Sequence, residues 1–450
     1  MRKGFIFDLN KCVGCEACVA ACQIENHATQ NEAWRHISTY NAFQHPALPL
    51  FHFSLACNHC EDPSCLAGCP TGAYTLDELH HTVDQNDDLC IGCRYCTWMC
   101  PYDAPKFIST KGVVEKCTLC KERIVEGRKP NCANLCPTGA LDFGEIETNL
   151  TIDIPGFTDR NIGPGIKIIP LRKKSPPVAA LRSLTAAESA LYRALQIVDE
   201  PKVSLRSEWP LVIFTLLVAV LFGVASAAML RPAVIDPWMF LVLGVAGFAL
   251  SSVHLGKRMK AWRALLNIRT SWLSREFAAY SLFLISSAVY MTVLPNDVVG
   301  SFSVLFGFIT LISIDMVYVV AGRRRWATGQ SAGVLSTGLL FFSLFGHISS
   351  LFAIFLAAKA VLYIGELLQS RPKSLPRLTF SAVRIAAGFI LPLLLFNYQE
   401  NMVLTLVALL VAEAINRTEF YLDLNIITPR RQIEHDLLRD LGSASTTNGR

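Results

Sequence analysis

Sixteen cysteines lie between Cys12 and Cys136, and none follows before the chain ends at Arg450. They form four quartets: Cys12, Cys15, Cys18, Cys22; Cys57, Cys60, Cys65, Cys69; Cys90, Cys93, Cys96, Cys100; and Cys117, Cys120, Cys132, Cys136. The first and third read C-x2-C-x2-C-x3-C, the second widens its middle gap, and the fourth inserts a longer loop. Pro70, Pro101 and Pro137 each follow a closing cysteine. This is the bacterial ferredoxin run, whose fourth cysteine reaches across to the neighbouring cluster. Sixteen thiolates give four sites of four ligands with none left over, so the spacing predicts four [4Fe–4S] clusters. Disulfides need an oxidising compartment, and structural zinc rarely uses a third cysteine two residues on and a fourth before proline. Cysteines used only as core residues would not cluster in this way.

The elements around these cysteines are short. Phe5–Asp8, Val83–Asp84 and Leu141–Phe143 read as strands flanking the clusters, in a segment expected to hold little hydrophobic core. There, metal binding and folding would be one free energy. Met1–Asn10 shows no charged-then-apolar leader and no twin-arginine pair, so the N-terminus is expected to be mature. Residues 1–150 are taken as the cluster domain, and 151–207, rich in proline and glycine at first, as a wrapping tail and linker with a short helix over Ala186–Val198.

The composition changes at Trp209. With 52% hydrophobic and only 17% charged residues overall, the chain departs from a soluble average. Apolar segments at roughly 209–230, 237–255, 277–294, 300–321, 331–347, 351–369, 378–397 and 402–416 predict an all-α polytopic membrane domain of about eight helices over 208–425, followed by a tail, 426–450. The fold class is thus α+β ferredoxin-like, then all-α membrane. Asp315, Lys359, Glu366, Arg384 and Glu413 fall inside these segments and are expected to pair within the bundle; Lys359 and Glu366 share a helix face. A net charge of +5 is too small for a nucleic-acid footprint. Its cations gather instead in the loops on the side of the cysteine domain. These are Lys257, Arg258, Lys260, Arg263, Arg269 and Arg275, then Arg323–Arg325, Arg371, Lys373 and Arg377, with Arg417 opening the tail. The opposite loops hold Arg231 with Asp236, Asp297 and Glu400, so the positive-inside rule puts the cysteine domain in the cytoplasm.

Several stretches carry a resemblance. Cys57-Asn58-His59-Cys60-Glu61-Asp62-Pro63, Cys90-Ile91-Gly92-Cys93-Arg94-Tyr95-Cys96, Cys100-Pro101-Tyr102-Asp103-Ala104-Pro105, Glu126–Pro130 and Cys136–Gly144 resemble the four-cluster electron-transfer subunit of the dimethyl sulfoxide reductase family. Glu208-Trp209-Pro210-Leu211, His254-Leu255-Gly256 and Ser271–Glu276 resemble its eight-helix membrane anchor, so the chain looks like a fusion of two proteins that the family normally keeps separate. The resemblance implies electron transfer between quinone or menaquinone in the inner membrane and a molybdopterin-containing catalytic subunit. It implies that Cys12, Cys15 and Cys18 pair with Cys136, and Cys117, Cys120 and Cys132 with Cys22. It likewise pairs Cys57, Cys60 and Cys65 with Cys100, and Cys90, Cys93 and Cys96 with Cys69. The first and fourth quartets would face the catalytic subunit, the second and third the membrane.

His254 and Glu276 end and begin neighbouring spans on the cytoplasmic side. An imidazole and a carboxylate there suit the protons of a quinol site, and matching positions line that site in the resembling family. Lys257-Arg258 stands where the family commonly has proline. Haem is not expected, since His254 and His347 sit at opposite membrane faces. Alternatives are the same wire in a sulfite dehydrogenase-like complex that reduces quinone, or a membrane iron–sulfur sensor.

Overall fold

The computed structural model describes residues 2–27, 33–41, 49–147, 157, 161–172, 205–231, 235–319, 333–369, 375–395, 402–423 and 428. The chain divides into two compact units, one of Met1–Lys202 with Ile426–Arg450 and one of Val203–Asn425.

In the first unit, strand β1 (Arg2–Asp8) turns Phe5 and Phe7 inward and leaves Ile6 and Asp8 half-buried on the other face, the two-residue period of a strand. A helix α1 (Ala17–Asn26) follows, then the hairpin β2 (His36–Tyr40) and β3 (Phe51–Leu55). Next come α2 (Ser64–Gly68), the hairpin β4 (Tyr74–Asp77) and β5 (Thr82–Gln85), α3 (Tyr95–Met99) and the hairpin β6 (Lys106–Ile108) and β7 (Val113–Glu115). Helices α4 (Lys121–Val125) and α5 (Asn131–Asn134) lead to β8 (Leu141–Ile146), and β9 (Ile166–Ile169) closes the unit. Antiparallel β8 and parallel β9 flank β1, with Phe5 opposite both Phe143 and Ile166. The expected strands thus lie within β1, β5 and β8.

The expectation of little hydrophobic core is corrected. Phe5, Phe7, Phe53 and Phe157 are almost fully buried, and Phe53 packs edge-on against both Phe7 and Phe157 at 5.8 Å. Tyr102 stacks on Phe157 at 5.0 Å. Each such ring contributes about 1.5–3 kcal/mol on burial. The short strands hid this core, because each supplies only one or two inward aromatics.

The stretch before β9 wraps over the second cysteine loop. Gly165 N–H donates to Asn58 O at 2.7 Å, and Glu61 N–H to Gly163 O at 2.9 Å. Arg2, 5% exposed, ties both segments down through Asn58 O, His59 O and Gly163 O. A side chain at Gly165 would meet Asn58 O at 2.6 Å, so only glycine permits this approach.

In the second unit, helices α6 (Leu205–Ala228), α7 (Pro237–Val253), α8 (Trp272–Thr292) and α9 (Asp297–Val317) precede α10 (Val334–Phe345) and α11 (Ser349–Gln369). Then α12 (Leu375–Ile385) runs through a π turn (Ala386–Ile390) into α13 (Leu391–Leu395), and α14 (Met402–Asp423) follows. Each of the eight apolar segments falls on one of these helices or on the α12–α13 run. Glu208–Ala228, Asp297–Val317 and Leu378–Leu395 are long and apolar enough to cross a membrane; Pro237–Val253 adds a fourth if joined to the 3₁₀ helix Arg258–Leu265, from which it bends by 104°. Eight spans remain an expectation.

Local chemistry fixes the helix starts. Asp236 accepts from Trp238 and Met239 N–H at 3.0 and 3.1 Å with Pro237 at the first helical position, and Asn296 caps α9 through Val299 N–H at 2.9 Å. Asp315, at the far end of α9, caps α10 instead, accepting from Val334 and Leu335 N–H at 2.9 and 3.1 Å. As expected of charges inside the bundle, Lys359 pairs with Glu413 at 2.9 Å; the side chain of Glu366 lies outside the described residues. One expectation is corrected. Arg417 is no tail cation: α14 continues to Asp423, and Arg417 is 1% exposed beside Thr337. The expected helix over Ala186–Val198 lies outside the described residues.

Candidate functional site

Each cysteine loop is built the same way. Two residues after the first cysteine of each quartet the backbone is left-handed: φ is 71° at Gly14, 43° at His59, 67° at Gly92 and 62° at Leu119. That twist turns successive N–H groups inward, the concavity that backbone forms around anions and iron–sulfur groups. His59 N–H donates to Cys57 Sγ at 3.4 Å, Gly92 N–H to Cys90 Sγ at 3.4 Å and Leu119 N–H to Cys117 Sγ at 3.3 Å; Gly14 serves Cys12 alike. Ala73 and Leu141 N–H donate to Cys69 and Cys136 at 3.3 Å each. The later cysteines sit on or beside the short helices: Cys18 and Cys22 on α1, Cys65 on α2, Cys96 on α3 and Cys132 on α5.

The fold brings these thiols together in four groups. Cys57, Cys60, Cys65 and Cys100 line one cavity, whose wall includes Lys116. Cys93 neighbours Cys69 and Cys90, and Cys96 neighbours Cys93 and Cys69. Cys12 neighbours Cys18, Cys136 and Cys15, while Cys22 neighbours Cys132 and Cys120 and Cys117 neighbours both Cys22 and Cys132. Three cross-neighbours link the groups in a row: Cys18 with Cys132, Cys117 with Cys57, and Cys96 with Cys65.

Burial pushes the Cys22 thiol up to about 11, and burial with neighbouring thiols drives Cys60, Cys96 and Cys117 well above the ordinary range. Burial alone would raise Cys136 too, but hydrogen bonds from Leu141 and Thr138 outweigh it and hold it low. Buried thiols of this kind become thiolates only beside compensating positive charge, and iron supplies it. Among the described residues no three His, Cys, Asp or Glu side chains converge as a site for a single metal ion. The donor set, all sulfur and in fours, fits iron–sulfur clusters.

Three polar residues here escaped the sequence reading. Arg35 is 1% exposed. His59 accepts from Val83 N–H through Nδ1 at 3.0 Å, and burial with the nearby Lys116 and Arg2 charges keeps it neutral. Lys116, 3% exposed, donates to Val83 O and to Cys117 O at 3.1 Å. No spacing rule marks them, since all depend on tertiary contacts.

In the second unit, α7 and α8 run closely antiparallel. Tyr280 Oη donates to Gly244 O at 2.8 Å, and Phe248 meets Phe277 at 5.0 Å. That register sets His254 level with the start of α8, and Glu276 about 8 Å deeper along the axis at 1.5 Å per residue. His254 caps the C-terminal end of α7 and is half-buried; Glu276 is 9% exposed. Both therefore lie at the same end of adjacent helices. Tyr318 and Tyr421 join through their hydroxyls.

Comparison with known proteins matches the two units separately. A family model described as a 4Fe-4S dicluster domain matches residues 48–146, and one described as DMSO reductase anchor subunit (DmsC) matches residues 204–332. A chain of the anaerobic dimethyl sulfoxide reductase of Escherichia coli is 41% identical over 152 residues, which cover 32% of this protein and 74% of that relative. A subunit of the sulfite dehydrogenase of Allochromatium vinosum is 36% identical over 162 residues, 31% of this protein and 68% of the relative. The formate dehydrogenase-O iron–sulfur subunit of Escherichia coli is 32% identical over 163 residues, 33% of this protein and 54% of the relative.

Proposed function

Because this protein belongs to the dimethyl sulfoxide reductase family, as an iron–sulfur subunit continued into an anchor-subunit domain, we propose that it conducts electrons between a membrane quinone and a molybdopterin-containing catalytic subunit. The row of neighbouring thiols carries the reading. Cys12, Cys15, Cys18 and Cys136 hold the first of four [4Fe–4S] clusters, and Cys22, Cys117, Cys120 and Cys132 the next. Cys57, Cys60, Cys65 and Cys100 hold the third, and Cys69, Cys90, Cys93 and Cys96 the last. When bound, such clusters exchange single electrons. The chain's part is to fix them in sequence, keep water from the buried thiolates, and direct backbone N–H groups at sulfur.

At the quinone end the chain must also place two protons. The half-buried His254 holds the quinone oxygen nearer the helix ends, and the buried Glu276 takes the proton deeper in. A second reading rests on the likeness to a sulfite dehydrogenase: the same wire run in reverse, from the catalytic partner to quinone.

Anaerobic purification of the complex tests this. About sixteen irons per chain are expected, with molybdenum in a co-purifying subunit. Menaquinol oxidation with S- or N-oxides, set against sulfite-driven quinone reduction, fixes the direction. Glu276→Gln keeps size and hydrogen bonding but removes the titrating proton, so quinol turnover should fall about 100-fold or more, within the range of general acid–base catalysis. His254→Ala should weaken quinone-site inhibitor binding. Wild-type quinol turnover in both variants would move the site elsewhere.

A further inference from the structure

Arg35 stands just before β2, and its side chain turns into the unit until 1% is exposed. Two neighbours fix it. Its Nη1 donates to Ser54 Oγ of β3 at 3.1 Å, and its guanidinium carbon lies 4.5 Å from the centre of the Phe5 ring of β1. Ser54 Oγ is in turn 3.5 Å from Cys18 Sγ. The fork therefore reaches a cluster cysteine through one hydroxyl. Its Nε and Nη2, both buried, meet no hydrogen-bond acceptor among the described residues.

A buried, permanently charged group with two idle donor nitrogens is costly unless something anionic completes it. No carboxylate pairs with it among the described residues. The charges acting on it are those of Cys132, Cys18, Cys117 and Cys22, drawn from the first and fourth quartets together. Burial alone would depress the guanidinium's pKa, and these four sulfurs more than reverse that. Lys116 makes the contrast. It is as deeply buried, but two backbone carbonyls accept from it.

We propose that Arg35 sets the reduction potentials of the two clusters held by the first and fourth quartets, its fixed charge and free N–H groups favouring their reduced forms over those of the other two clusters. The proposal rests on the four-cluster reading above. Reduction adds one electron, and so one negative charge, to an iron–sulfur group. A cation held in place without water stabilises that added charge, while an exposed one would be screened. The electron itself comes from quinol or from the catalytic partner, so Arg35 neither gives nor takes one. Its effect is to make electrons dwell more favourably at that end of the row.

Redox titration of the full complex, followed by electron paramagnetic resonance, tests this. Arg35→Gln should lower the reduction constant of two clusters by about tenfold or more, equal to 59 mV for one electron, and leave the other two in place. The shift should be the same at low and high salt, because the charge is buried. Arg35→Lys keeps the charge without the planar fork and should shift the same pair less. Ser54→Ala frees the fork and should give a smaller shift in the same direction. Four unchanged potentials in an Arg35→Gln complex with full iron content would overturn the proposal, as would an Arg35→Lys shift as large as that of Arg35→Gln. Where Arg35→Gln fails to keep its iron, the other two variants decide: shifts confined to one pair support the idea, and unchanged potentials in both sink it. An iron count short of four clusters in the unaltered protein would instead undo the four-cluster reading, and is read independently of any shift.

Discussion

Gly14 and Gly72 both have a left-handed backbone, with φ of 71° and 64°, yet they should respond differently to substitution. A Cβ at Gly14 would lie 2.6 Å from the His52 ring, inside the loop that turns an N–H toward Cys12, whereas nothing stands within 4 Å of one at Gly72. Gly14→Val should close off the first cluster site and lower iron per chain by about a quarter, one cluster in four. Gly72→Ala should cost only the left-handed strain, about 1–2 kcal/mol, with iron content intact. Iron analysis and thermal unfolding of both variants check this; equal iron loss would show that loop conformation and not crowding governs assembly. Spacing made the sixteen cysteines and their four quartets legible because ligand spacing along the chain is local, whereas the exchange of closing cysteines between quartets entered only through the resemblance. Leu119 was not legible as a left-handed position, since leucine is not a residue type that favours that backbone. Arg35, approaching from the segment just before β2, left no mark in the cysteine pattern.

Helices α10, α11 and α14 meet around a buried polar group. Lys359 Nζ lies 2.9 Å from Glu413 Oε1 and donates to Thr337 Oγ1 at 2.7 Å, while Thr337 Oγ1 donates to Glu413 Oε2 at 2.8 Å. Lys359 and Glu413 are 6% and 5% exposed. Lys359→Met should therefore leave a buried carboxylate without its ammonium partner and cost about 3–5 kcal/mol, whereas Lys359→Met with Glu413→Leu should cost less than the two single losses summed. Unfolding of these two variants and of Glu413→Leu alone in detergent, followed by loss of helicity, measures the cycle; additive losses would mean the pair is not coupled. Elsewhere small residues let the helices close: Ser287 and Ser303 share a hydrogen bond at 2.6 Å, and a Cβ at Gly307 would strike Phe222 at 2.7 Å. Apolar runs announced these helices, because hydropathy is a property of a segment. Pairing was harder to read. Lys359 and Glu366 are neighbours on one helix surface, but the partner that Lys359 takes is 54 residues away on α14. Arg417 likewise read as a tail cation because polarity rises near it, although α14 carries it into the bundle.

At the scale of the whole molecule, the join between a cluster unit and an anchor unit was visible as a change of composition at Trp209, and the units divide at Lys202 and Val203. Orientation across the membrane is a proposal from charge. Were the eight helical runs to cross in alternation, the loop after α7 would fall on the side where α6 begins. It holds Lys257, Arg258, Lys260, Arg263, Arg269 and Arg275. Within it the 3₁₀ helix Arg258–Leu265 turns through 104° from α7 and exposes Met259 at 93% and Trp262 at 59%, between basic residues. Apolar and aromatic side chains next to lysine and arginine suit the headgroup layer. The loops on the other side offer Arg231 against Asp236 and Asp297. Removing Arg417 from the loop cations does not alter this balance. The cluster unit and its catalytic partner are therefore expected on the cytoplasmic side, and a fluorescent reporter after Arg450 should light there; alkaline phosphatase active at that point would reverse the orientation. His254 and Glu276 lie at the same helix ends as the basic loop, so protons leaving quinol would return to the compartment in which the catalytic partner consumes them. Electrons and protons would then move on one side only. Liposomes holding the purified complex should show turnover without a membrane potential, and a potential that rises with turnover would mean that charge crosses the anchor.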